Sequence, residues 1–171
     1  MPDLIKVEYS CTGKSKKTNE LGMREMQQRA FNARTAQYLL IKAPPASGKS
    51  RALMFIALDK LNNQWIKKAI VAVPEKAIGA SFSSTPLSAH GFFADWTVNP
   101  KYNLCTAGSD TSKVKTFLEF LDSNESILVC THATLRFAFE GLDEKKLNDT
   151  LIAIDEFHHV SSNPDNKLGN Q

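Results

Sequence analysis

The sequence predicts an α/β domain, a doubly wound and mostly parallel sheet with helices on both faces. Two observations carry that expectation. Short β-branched or apolar runs alternate with longer segments of helical period, the pattern of parallel strands joined by crossover helices. The four clearest runs, in "QYLLIKA", "KKAIVAVP", "SILVCT" and "TLIAI", are continuously apolar rather than alternating, as strands covered on both faces are. The 171 residues amount to one domain, long enough to bury a proper core. In such a sheet, ligands bind beyond the carboxyl ends of the strands.

Residues 1–20 read as a polar N-terminal extension and residues 21–171 as the domain. The extension's densest charge, Lys14, Lys16 and Lys17, reads as a solvated linker rather than a phosphate-binding arm. In "ELGMREMQQRAFNARTA", Met23, Met26, Ala30 and Phe31 fall at helical spacing. The strand at 37–43 is broken by "PPASG". A helix follows in "KSRALMFIALDKLNNQ", with Leu53, Ile56 and Leu61 largely on one face. Pro74 closes the strand "KKAIVAVP", and "EKAIGASFS" is a short helix or turn.

The stretch "STPLSAHGFFADWTVNPKYN" is irregular. Its Phe92, Phe93 and Trp96 suit either buried packing or stacking on bases. A third strand is expected in "NLCTAG". Next comes a helix in "SDTSKVKTFLEFLDS", capped by Ser109 and buried along Val114, Phe117, Leu118 and Leu121. "SILVCT" and the helical "HATLRFAFEGL" precede a charged turn, "DEKKLND", and the last strand, "TLIAI".

The bulk composition narrows the classes. With 42% hydrophobic and 23% charged residues the chain resembles ordinary soluble proteins. No apolar run approaches the ~18 residues of a membrane span, and the N-terminus lacks a secretory signal's apolar stretch. No membrane association and a cytoplasmic location are expected. Three cysteines without a C-x-x-C pair read as reduced thiols. A net charge of +3, with both signs interspersed, is compatible with nucleic acid without indicating it.

The chemistry begins at "APPASGKS", residues 43–50, which fits the phosphate-loop pattern with alanine in the first glycine position. An unrelated chain of this length would match by chance about one time in a hundred. Placement between a strand and a helix sharpens the match. A loop entering a helix presents backbone N–H groups as a nest, and the helix N-terminus adds positive potential. Pro45, Ala46 and Ser47 shape that loop, and Gly48 lets the backbone approach the phosphates. Lys49 supplies a point charge for the terminal phosphates, and the hydroxyl of Ser50 can ligate Mg²⁺. ATP and Mg²⁺ are the cofactors this implies.

A phosphate-loop ATPase needs a second, acidic strand end to complete its metal site. "TLIAIDEFHH" provides one, with Asp155 suited to orient the metal and Glu156 to act as general base toward water. Glu156, His158 and His159 are also metal-ligand types, but no second ligand set at recognisable spacing accompanies them.

Together, "APPASGKS" and "DEFHH" resemble motif I and the D-E-x-H signature of superfamily 2 helicases and translocases. The resemblance runs from about Met23 to His158 and implies their first RecA-like domain, a phosphate-loop NTPase fold. It implies that Gln27, in the R-x-x-Q segment "MREMQQRAF", reads the adenine edge. It gives His158 a catalytic coupling role. The loops after the second strand and after "SILV" take the places of motifs Ia and Ib, which makes Pro74, Lys76, Thr131 and His132 nucleic-acid contacts. DNA or RNA is the implied partner. Superfamily 2 enzymes continue with motif III and a second RecA-like domain, so the chain is expected to be the first motor domain of a longer protein, nearly inactive alone. The competing functions are a phosphate-loop ATPase or kinase with no nucleic-acid role, and a nucleotide-binding module without catalysis.

Overall fold

The computed structural model describes residues 4–8, 18–106 and 110–158. They fall into two compact units, Met1–Asp59 with Thr85–Trp96, and Lys60–Ser84 with Thr97–Gln171.

In the first unit, β1 (Leu4–Glu8) pairs in parallel with β2 (Tyr38–Lys42), in register from Leu4 opposite Tyr38 to Glu8 opposite Lys42. A strand therefore lies within the stretch expected as a polar extension, at Leu4–Glu8. Of β1 only Val7 is buried, and Glu8 pairs with Lys6 and lies 3.7 Å from Lys42. An exposed edge strand protected by charge does not look like a buried one in sequence. Between the strands runs α1 (Glu25–Asn32), which buries Met26, Ala30 and Phe31, with Met23 buried just before it. Phe92 packs edge-on against Phe55 at 4.7 Å and Phe31 at 6.3 Å, and Trp96 is fully buried. Those two aromatics therefore serve packing, while Phe93 remains 49% exposed. Arg34 pairs with the buried Asp59 at 2.5 Å and lies 4.0 Å over the Phe31 ring.

Helix α2 (Lys49–Asn62) carries the chain onward. The expected apolar stripe is too narrow: Ala52 and every residue from Met54 to Asp59 are buried, whereas Leu53 and Leu61 are only partly so. A helix apolar on most sides is covered on most sides.

The second unit is built on a three-stranded parallel sheet ordered β4 (Ile127–Thr131), β3 (Lys68–Val73), β5 (Thr150–Ile154). Burial on both faces holds for β3 and β4, while β5 is mostly half-buried. Helices α3 (Asp110–Asp122) and α4 (His132–Phe139) cover a core of Ile70, Leu128, Phe117, Phe120 and Leu135. Each such side chain contributes roughly 1.5–3 kcal/mol by leaving water.

The strand expected in "NLCTAG" is reduced to a single bridge, Asn103 to Val129, after a 3-10 turn at Pro100–Tyr102. Leu104 N–H still donates to the Val129 carbonyl at 2.7 Å. Ser109, the expected cap of α3, lies outside the described residues, as do Lys14, Lys16, Lys17 and His159. Because the strands are parallel and Val73 stands opposite Thr131 while Ala72 stands opposite Ile154, their carboxyl ends emerge along one edge.

Candidate nucleotide and nucleic-acid sites

The phosphate loop leaves β2 and enters α2. Its turn is closed by Ser47 N–H donating to the Pro44 carbonyl at 3.3 Å, with Ala46 at φ 59°. Proline second and a positive φ third is the arrangement type II turns use. Gly48 sits at φ 90°, and a Cβ there would stand 2.4 Å from Gln27 Nε2. Left-handed residues at Ala46 and Gly48 give the loop the kind of backbone from which anion-binding nests are built.

Two features suit this loop to a triphosphate. The hydroxyl of Ser47 is buried and finds no hydrogen-bond partner among the described residues, and a phosphate oxygen would accept from it. The first turn of the 14-residue α2 contains no acidic side chain, so its positive end is not neutralised from within. Lys49 and Ser50 open that helix, both partly exposed, and Pro45 and Ala46 lie at the loop tip, both exposed.

Gln27 arrives at the same place from α1. Its Oε1 accepts from Arg24 N–H at 2.7 Å, and its Nε2 donates to the Gly48 carbonyl at 3.0 Å. At 2% exposure, this side chain ties the helix start to the loop. The Arg24 guanidinium adds a 3.4 Å contact to the Ala46 carbonyl. Sequence reasoning assigned no role to Arg24, although the R-x-x-Q spacing placed it one helical turn from Gln27.

The acid pair belongs to the second unit. Asp155 follows β5, and its N–H extends the ladder by donating to the Ala72 carbonyl at 2.8 Å. The residue is 8% exposed. Glu156 turns sharply, at φ 52°, and its carboxylate is 30% exposed, 3.3 Å from Nδ1 of the exposed His158. Thus a buried acid suited to a fixed metal shell precedes an acid open to water. Among the described residues no cluster of three His, Cys, Asp or Glu forms a ready-made metal site.

Along the same carboxyl edge stand the other expected residues. Pro74 ends β3, and Lys76 is exposed at the start of a 3-10 helix, Lys76–Phe82. Thr131 is buried and caps α4, its Oγ accepting from Thr134 N–H at 3.2 Å. Its hydroxyl also lies 3.1 Å from the Thr134 hydroxyl. His132 Nε2 lies 2.9 Å from the Asp155 carbonyl, a link across 23 residues with no sequence signature. Nearby, Cys105 and Cys130 are packing residues: burial pushes both thiols up, Cys105 despite the cations Lys113 and Lys76.

Residues 24–169 match the DEAD/DEAH box helicase family. The chain belongs to that family. The match takes in Gln27, the phosphate loop, both edge loops and the acid pair, and the parallel α/β architecture agrees with the RecA-like domain of such helicases. A Bacillus subtilis (strain 168) protein, "Putative ATP-dependent helicase YeeB", is 61% identical over 169 residues. That alignment covers 99% of this chain and 28% of that protein, so the chain spans little more than a quarter of this helicase relative's length. No solved structure matches the chain. No helix among the described residues is long and apolar enough to cross a membrane.

Proposed function

We propose that this domain is the first, ATP-binding motor unit of an ATP-dependent DNA or RNA helicase or translocase. The observation that carries the reading is the phosphate loop: an orphaned Ser47 hydroxyl beneath left-handed Ala46 and Gly48, opening onto an acid-free helix start. In this proposal the loop amides and Lys49 would hold the triphosphate, and Ser50 and Asp155 would hold its metal. Glu156 takes a proton from the attacking water. Magnesium would supply charge neutralisation at the phosphates. Gln27 braces the loop through Gly48 and keeps one further N–H with which to meet the adenine.

On the carboxyl edge of the β4-β3-β5 sheet, Lys76 is an exposed cation for a nucleic-acid phosphate, with the Pro74 loop before it. The 3.3 Å approach of His158 Nδ1 to the Glu156 carboxylate supports a role for His158 in coupling that edge to the general base. The relative's greater length supports a longer protein with a second RecA-like domain. On this reading the present residues bind Mg·ATP weakly and turn it over very slowly alone.

The test is the ATPase rate of the full-length protein with and without DNA or RNA, across a salt series, beside Glu156→Gln. A motor shows stimulation that fades as salt rises, and loses turnover but not ATP binding in the variant. A rate indifferent to nucleic acid would favour an ATPase of another kind. Indifference to Glu156→Gln would leave only a binding module.

A further inference from the structure

We propose that His132 is a positioning residue for the acid pair: its ring N–H holds the Asp155 carbonyl and so fixes the peptide joining Asp155 to Glu156. The inference rests on the reading of Glu156 as general base.

The contact is 2.9 Å, from His132 Nε2 to the Asp155 carbonyl oxygen. A carbonyl only accepts, so Nε2 carries the proton and donates. The preceding peptide is held as well, by Asp155 N–H to the Ala72 carbonyl at 2.8 Å. Two consecutive peptides are therefore pinned, one by the central strand and one by His132. Immediately beyond them Glu156 adopts φ 52°, a backbone conformation that side chains other than glycine enter at a cost. A strained turn persists only where its surroundings hold it. The His132 bond acts on the peptide about which that turn pivots.

His132 is itself well anchored. It is the first residue of α4, directly after Thr131, whose Oγ accepts from Thr134 N–H and lies 3.1 Å from the Thr134 hydroxyl. Strands β4 and β5 do not pair with each other, because β3 lies between them. The histidine thus reaches from the end of one outer strand, past the central one, to the acid on the other. General-base catalysis depends on carboxylate placement at the scale of an ångström. A residue that sets the Glu156 backbone sets the rate without touching the nucleotide.

The experiment compares His132→Ala, His132→Gln and Glu156→Gln in the full-length protein, at saturating nucleic acid. His132→Ala should lower kcat about tenfold or more while leaving KM for ATP and the nucleic-acid Kd unchanged. His132→Gln, which keeps an N–H donor at similar reach, should recover most of the loss. A wild-type kcat in His132→Ala, with Glu156→Gln inactive, would overturn the inference alone. So would weakened nucleic-acid binding with kcat at saturation intact, which would make His132 a nucleic-acid contact instead. An active Glu156→Gln would bring down the general-base reading and the inference with it. Should His132→Ala fail to fold, nitrogen NMR of the unaltered chain decides: a proton on Nε2 of His132 supports the bond, and a ring protonated only on Nδ1 refutes it.

Discussion

Replacing Gly48 with alanine places a Cβ 2.4 Å from the Nε2 of a buried glutamine, on a backbone at φ 90°. Two penalties add. An L-residue in left-handed conformation costs about 1–2 kcal/mol. The Gln27 amide must also retreat, surrendering its 3.0 Å bond to the Gly48 carbonyl, worth about 1 kcal/mol. Gly48→Ala should therefore destabilise the first unit by about 2–3 kcal/mol. Gln27→Ala loses that same bond and the 2.7 Å bond from Arg24 N–H, about 2 kcal/mol together. In the double variant the shared bond is lost only once, and the new Cβ meets no amide. Its destabilisation should fall short of the sum of the singles by about 1 kcal/mol. Urea titration of the four proteins measures all three differences. Additivity within about 0.5 kcal/mol would show that the glutamine does not brace the loop.

Lys49→Ala should abolish Mg·ATP binding in a fluorescent-nucleotide titration while leaving the melting temperature nearly unchanged; undiminished affinity would refute the phosphate-loop assignment. Asp59→Ala should destabilise the fold by about 2 kcal/mol in urea, below the usual range for a buried pair because Arg34 keeps a quarter of its side chain exposed. Burial raises the thiol pKa of both Cys105 and Cys130, so less thiolate exists at neutral pH than in an unfolded chain. Iodoacetamide mapping at pH 8 should find native Cys130 unmodified and Cys105 slow, with the Cys105 rate still climbing above its ordinary titration range and both reacting readily in urea.

What sequence could reveal depended on how local each signal was. The phosphate loop and the acid pair were legible because their chemistry requires particular residues at fixed spacing beside an apolar strand. The strands β2 to β5 were legible for a related reason, since a short apolar run closed by Pro74 or by acids is too brief for a helix and too apolar for a loop. Strand β1 escaped notice because charge protects its exposed edge, so "LIKVE" shows neither a clean alternation nor an apolar run. The third strand was overstated: "NLCTAG" has the composition of a strand, but among its described residues the pairing is a single bridge at Asn103, after a 3-10 turn that begins at Pro100. Gln27 was drawn to the nucleotide by its motif, whereas two of its hydrogen bonds go to Arg24 and Gly48. Thr131 and His132 looked alike as loop residues; only tertiary placement separates a helix cap from a ring aimed at the Asp155 peptide.

If the proposed function is right, the loop at Lys49 and the acids at Asp155 and Glu156 serve a single metal–triphosphate. Crystals grown with an ATP analogue and Mn²⁺ in place of magnesium decide this through the anomalous signal of the metal. One peak is expected, with the Ser50 hydroxyl as a ligand, the Asp155 carboxylate bound to the metal's water shell and Lys49 on the terminal phosphates. A metal with neither Asp155 nor Glu156 in its second coordination sphere would contradict the proposal.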